Sequence, residues 1–382
     1  MRRRSVLAGI AVGALLSLAA WVPVGAATTP QPLCDGQPLP RFASAQPNTT
    51  LTQMLQRYGN ASTSDTWSGA DSTYSVDLPG GRELWLFSDT FLGPVHPDGS
   101  RDSTVPFIHN SFILQRGDQL TTMHGGTATS PTSLLSPPDP NSWYWANATL
   151  LVPGAIDVIY LEFQQTGTGI FDFAFKRSVL ARFSPSDLHL IDLHDLPSSV
   201  PNLEWNPWLL QQGGYTYIYG VEDLSFEQQP KYMHLARVRG DDLLGQWQFY
   251  TGSGWSRNER DSARMLQDVS NTFSVTRLGS WYALIDQDTS FPFGNQIDAY
   301  FSCSPAGPFI GKTHVYQTPE AGIYGTYHNQ NVITYDPHAH PELQRGGQMV
   351  ISYDVNSLDT HDVLRDVSIY RSRFVDLQFS DG

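Results

Sequence analysis

Positive charge is scarce in this 382-residue chain, with 23 Lys and Arg against 37 Asp and Glu and a formal net charge of −14. Nucleic acid and anionic membrane surfaces require basic patches, so that balance argues against both as partners. Cysteine is nearly absent. Cys34 and Cys303 are too few for a structural zinc site, but in an oxidising compartment they would suffice for one disulfide between the N-terminal segment and a distant strand. Long helical periodicity is also lacking, and the best short helix is Leu51 to Tyr58 behind Asn48, Thr49 and Thr50 as caps. There is no Gly-x-Ser-x-Gly elbow, no His-Glu-x-x-His and no Gly-x-x-x-x-Gly-Lys-Ser/Thr loop. These absences argue against a lipase-like serine nucleophile, a zinc protease and a phosphate-cradling site. His338-Ala339-His340 has chelating side chains, yet it lies between Pro337 and Pro341 and reads as a turn.

Long apolar runs are missing except one, Val6 to Trp21, preceded by Arg2, Arg3 and Arg4. That run is short for a membrane span, and Val24-Gly25-Ala26 offers a cleavage site of small residues. Residues 1–26 therefore read as a signal peptide for Sec or twin-arginine export, leaving a secreted, monomeric protein with no stable membrane anchor. Residues 27–60 form an N-terminal extension carrying the short helix, and 61–382 form one large domain.

Turn chemistry is abundant, with 26 Pro and 32 Gly. One unit recurs five times: a leading polar or aromatic segment, an apolar strand, a Gly or Pro turn, and a second apolar strand ending near an acid. The leading strands are Tyr74-Ser75-Val76, Trp145 to Val152, Trp205 to Leu210, Ser270 to Val275 and His328 to Thr334. The second strands end near Asp89, Glu162, Asp223, Asp288 and Asp354. Five such pairs, with no helical layer to cover a sheet, predict an all-β five-bladed β-propeller; a β-sandwich is the rival architecture.

The most informative segment is the hairpin from Gly69 to Phe91. Asp71 lies nine residues before Gly80 and Asp89 nine residues after it, so a Pro79-Gly80-Gly81 turn makes the two aspartates cross-strand neighbours, or diagonal ones if the register slips by one. Two carboxylates held that close repel, which separates their proton affinities and suits acid and base roles in glycosidic cleavage. In a propeller, residues distant in sequence converge at one mouth. Asn110, Asn147, Asn206, Asn271 and Asn329 hold comparable leading positions, with His328 beside the last and Asp288 closing a second strand. Trp145 and Trp205 add indole faces of the kind that pack on sugar rings. Together these are the expected substrate-binding residues, although each Asn alone is better explained by turn capping, and each Trp equally well by packing between blades. Glu222 or Asp223 is the expected third catalytic carboxylate, with Glu162 in reserve. No cofactor is required; the oxygen-rich channel would accept a Ca2+ or Na+ ion on the propeller axis.

The segments Gly69-Ala70-Asp71-Ser72, Leu84 to Gly93 and Asn110-Ser111, with the C-terminal His338 to Leu343, Ile351 to Ser357 and Ile369 to Phe374, resemble the exported bacterial domain family numbered 4185. That family is associated with glycoside hydrolase family 183. The resemblance spans roughly residues 60–377. It implies a five-bladed propeller and an endo-acting hydrolase of D-arabinan, the furanose polymer of mycobacterial-type cell walls, with Asp71 and Asp89 as the essential carboxylates. A non-catalytic carbohydrate-binding propeller is the alternative from another class, and a protein-binding scaffold the third.

Overall fold

The computed structural model describes residues 32–169, 172–225, 230–344 and 348–380. The expected leader at 1–26 and the expected turn at Gly346-Gly347 lie outside the described residues. The fold is all-β with two short α-helices among the described residues, and its strands fall into five principal antiparallel sheets. No described helix is long and apolar enough to cross a membrane.

The first sheet comprises Tyr74–Leu78, Arg82–Phe87, Ser111–Arg116 and Gln119–Met123. The second comprises Ser142–Val152, Ala155–Gln165, Phe173–Phe183 and Leu190–Asp195. The third is centred on Leu209–Gln212, Tyr215–Glu222 and Tyr232–Arg239. The fourth holds Ser274–Leu278, Trp281–Gln287, Gln296–Ser302 and Ile310–Gln317. The fifth holds Val332–Ala339, Gln348–Ser357 and Arg371–Ser380, and its fourth strand is Arg41–Pro47 from the N-terminal end. Part of the segment expected as an extension is thus built into the last sheet. The His338-Ala339-His340 motif, expected as a turn, instead ends the leading strand of that sheet. His338 is fully buried there and stacks on Tyr74 at 4.1 Å.

Sequence pattern explains the layering. In Tyr74–Leu78 the residues Tyr74, Val76 and Leu78 are buried and Asp77 is exposed, the alternation of a strand with one wet face. Two second strands are buried on both faces: every residue of Trp281–Gln287 and the first nine of Ala155–Gln165 are buried. A strand covered on both sides requires a neighbouring sheet on each. Individual contacts link one sheet to another. Ser88 Oγ donates to the Ala146 carbonyl, the Ala148 amide to the Asn206 carbonyl, and Tyr219 meets Phe273 edge-on. The Ala339 amide donates to Ser274 Oγ, and Tyr74 of the first sheet stacks on His338 of the fifth. The turn at Gly213-Gly214, between the paired Gln212 and Tyr215, takes φ of 61° and 77°, the left-handed geometry that two-residue hairpin loops need.

The helix Thr49–Asn60 begins as its sequence predicts, with Asn48 accepting from the Leu51 amide. It covers Arg371, which is fully buried and bonds the Gln56 carbonyl and Asn60 side chain. Cys34 and Cys303 form a disulfide that ties the N-terminal strands to the fourth sheet.

Candidate active site

A small three-stranded sheet, Trp67–Ala70, Thr90–Leu92 and Phe107–Ile108, abuts the first principal sheet. One hairpin feeds both. Its pairing runs Leu78↔Arg82 and Tyr74↔Leu86 in the first sheet, then Ala70↔Thr90 in the small one. Asp71 and Asp89 occupy the junction: the Asp71 amide donates to the Asp89 carbonyl at 3.3 Å, and the Ser88 amide to the Asp71 carbonyl at 3.1 Å. The strand leaves one sheet for the other through Ser72, whose φ of 54° is left-handed and unfavourable for a residue with a Cβ. Bonds from the fifth sheet hold it there. The Ser72 amide donates to Asp354 at 2.7 Å and its hydroxyl to Asp336 at 3.2 Å.

Asp71 Oδ2 accepts from the Tyr335 hydroxyl at 2.7 Å and the Tyr370 hydroxyl at 2.9 Å. Oδ1 is buried with no hydrogen-bond partner. Burial first, then the charges of Asp89, Asp354 and Asp336, push the Asp71 carboxyl well above its ordinary range, against the opposing bond from Tyr335. Tyr335 reaches it because the strand Val332–Ala339 bulges between Tyr335 and His338, with Asp336 at a φ of 54°. Burial also raises both phenols far above their usual range, so they remain donors at neutral pH.

Asp89 is held differently. Its Oδ1 lies 2.7 Å from His109 Nδ1 and accepts from Trp145 Nε1 at 2.8 Å, while 19% of its side chain stays exposed. Trp143 stacks on His109 with ring centroids 5.0 Å apart. The two aspartates open into a cavity of about 450 Å3 walled by Phe91, Phe107, Trp143 and Trp145. Asp71 and Trp145 also border a second cavity of about 690 Å3 that contains Asn147, Asn206, Asn271, Asp223 and Lys231.

Of the residues expected from sequence, Asp71, Asp89, Trp145, Asn147, Asn206, Asn271 and Asp223 therefore line the two cavities. Burial pushes the Asp223 carboxyl up, but Lys231 at 3.2 Å, with Ser225 and Asn271, outweighs this and holds it below the usual range. The other expectations need correction. Glu222 is clamped by Arg264 through bonds of 2.6 and 3.1 Å and lies outside both cavities. Glu162 is likewise consumed by Lys176 and Arg177. Asn110 is fully buried and spends its amide on the Leu135 and Tyr144 backbone. Trp205 is sealed in the core, donating to Glu259. Asp288 pairs with Lys312 and caps Ser290, and Asn329 bonds Asp362. His328 is exposed and touches neither cavity. These side chains satisfy local backbone and packing needs, which the leading positions of a strand impose as readily as a ligand does.

Sequence reasoning missed His109, Tyr335, Tyr370 and Glu204. Glu204, on the short strand Leu203–Glu204, is buried in the second cavity with Oε2 unpartnered. Burial and the charge of Asp223 push it up to about 8, against Lys231 and Asn271. The run Leu203-Glu204-Trp205-Asn206 carried a signal in its acid next to two singled-out residues. The tyrosines carried none, being separated from Asp71 by 264 and 299 positions. Among the described residues, no three His, Cys, Asp or Glu side chains converge as a metal-ligating group.

The architecture and cleft define an all-β protein with a pair of aspartates at the floor of an aromatic opening. The chain belongs to the family described as "Domain of unknown function (DUF5005)", which matches residues 52–379. This corrects the resemblance to family 4185 and glycoside hydrolase family 183. The motif that carried it, a hairpin dividing between two sheets, is local strand-and-turn geometry that unrelated families can share. Among solved structures, a presumed hydrolase from Bacteroides ovatus aligns over 87% of this chain and 90% of its own, at 20% identity and a TM-score of 0.73. That likeness speaks to the fold alone. An exo-1,5-alpha-L-arabinanase from a bovine ruminal metagenomic library aligns over 83% of this chain and 99% of its own, at 12% identity and a TM-score of 0.47. The alpha-L-arabinofuranosidase of Podospora anserina aligns over 82% and 91%, at 9% and 0.46. Both overlaps are too loose to bear on chemistry. No significant match appears among curated proteins.

Proposed function

We propose that this chain is an exported glycoside hydrolase on a five-bladed propeller, with Asp71 and Asp89 as its reacting carboxyl groups. The observation that carries the reading is the environment of Asp71. It is a carboxyl whose burial, and whose neighbours Asp89, Asp354 and Asp336, favour the protonated form, with one oxygen unpartnered, paired through the backbone to a second carboxyl that opens on an aromatic cleft.

In this reading Asp71 donates its proton to the leaving glycosidic oxygen. The Tyr335 and Tyr370 hydroxyls then stabilise the carboxylate left on Oδ2. Asp89, oriented by His109 and Trp145, either activates water or attacks the anomeric carbon; the carboxyl separation reached with substrate bound decides which. No cofactor enters these steps. Arabinofuranosyl linkages, D-arabinan included, are the first substrates to test.

The test is release of new reducing ends from arabinogalactan and a panel of glycosides, repeated with Asp71→Asn and Asp89→Asn. Each substitution is expected to lower turnover by at least about a hundredfold. Product formation unchanged by either substitution overturns the assignment. Sugar binding without product from the unmodified protein favours the lectin-like alternative.

A further inference from the structure

The two cavities that meet at Asp71 differ in chemistry. The smaller is lined by Phe91, Phe107, Trp143, Ile333, Leu358 and Val363. Aromatic faces suit sugar rings, but the aliphatic side chains have no flat face to offer a sugar. Apart from Asp71 Oδ1, most polar side chains on its wall are already engaged within the protein. His109 is on Asp89 at 2.7 Å, Asn356 donates to the Tyr335 hydroxyl at 3.0 Å, Ser357 Oγ donates to Asp362 at 2.7 Å, and the Tyr370 hydroxyl is on Asp71. A sugar placed here would lose water from its hydroxyls and find few partners.

The larger cavity also has apolar walls, in Leu161, Phe163 and Phe175, but it carries more polar side chains. Asn147, Asn206, Asn271, Asp223 and Lys231 line it, and two buried oxygens, Glu204 Oε2 and Asn206 Oδ1, have no protein partner. Buried polar atoms without partners are costly unless a ligand supplies them. Asp71, Trp145, Phe173, Phe293 and Tyr335 border both spaces, so the acid stands where one chemistry gives way to the other.

We propose that the larger cavity holds the sugar and the smaller one an apolar leaving group, making the substrate a glycoside linked to an alkyl or aryl moiety. This rests on the hydrolase reading above and narrows it from the interior of a polysaccharide to a lipid- or aryl-linked sugar. The smaller cavity lies within the volume range of small-molecule sites.

The test uses the Asp71→Asn protein, which binds without turnover, and calorimetry with octyl and methyl α-arabinofuranosides below micellar concentration. The octyl compound is expected to bind at least about tenfold more tightly. Adding Leu358→Asp is expected to erase most of that preference, and Asn206→Ala to weaken both compounds equally. Equal binding of the two glycosides, or binding of neither, overturns the inference. An alkyl preference that Leu358→Asp leaves intact overturns it too. Hydrolysis is scored separately on the unmodified protein. Loss of the preference with arabinan cleavage intact removes only this inference, and a retained preference with no cleavage of any glycoside removes only the hydrolase reading.

Discussion

A methyl group placed on Gly69 would sit 2.4 Å from the Tyr370 carbonyl oxygen and 3.0 Å from the Arg101 guanidinium. That close approach seats Tyr370 where its hydroxyl bonds Asp71, two residues further along the hairpin. Gly69→Ala is therefore expected to destabilise the fold by about 1–3 kcal/mol and to lower turnover by more than its loss of folded protein explains. Thermal unfolding and specific activity, measured together, check this; wild-type values for both would mean that the backbone yields without moving the tyrosine.

The Tyr335 hydroxyl bond holds the Asp71 carboxyl down against burial and three neighbouring acids. Tyr335→Phe removes it, so the Asp71 proton is retained to higher pH. The alkaline limb of kcat/KM against pH should move upward. Turnover at the optimum should fall about tenfold or more, because the carboxylate formed on proton transfer loses a donor. A limb that moves downward contradicts the role given to Asp71.

Stability should fall as the solution turns alkaline. Glu204 is raised to about 8, and Asp286 and Asp354 to about 7, all by burial first. Each keeps its proton in the folded chain where the unfolded chain has lost it, so the stabilisation is present in acid and is lost as pH rises through these values. Buried His338, lowered to about 3, acts in the opposite sense below its ordinary value of 6.5, so the clean window is pH 6.5–8. Glu204 contributes at most about 1.4 kcal/mol per pH unit there. A drop in Tm across this window, flattened in Glu204→Gln, is the expected result; a rise would refute the burial account.

The Cys34–Cys303 bridge closes a loop of 269 positions. Crosslinks of long loops restrict the unfolded chain most, so Cys303→Ser should cost about 2–5 kcal/mol. Denaturant unfolding of that variant, and of the parent protein under reducing conditions, should give the same shift in midpoint. A midpoint unchanged in both would show that the N-terminal strands are held by their pairing alone.

Legibility in the sequence tracked the range of the interaction. The helix cap at Asn48, the Gly213-Gly214 turn and the position of Asp71 opposite Asp89 about Gly80 involve neighbours within one element or hairpin. Local pattern determines such features directly. Asn110 and Trp205 were misleading for the converse reason. An Asn that serves two carbonyls, or an indole that serves a buried glutamate, reads in one dimension like a residue waiting for a ligand.

The sequence by itself determined a chain made mostly of strands and a hairpin that pairs two aspartates, because strand alternation and turn symmetry are written in adjacent residues. Only the tertiary structure decided what those aspartates are. Tyr335, Tyr370 and Asp354 arrive from the far end of the chain, and Trp145 and His109 from neighbouring strands. Proton affinity depends on burial and on charges within a few ångströms, and no spacing along a chain records which distant side chains will supply them.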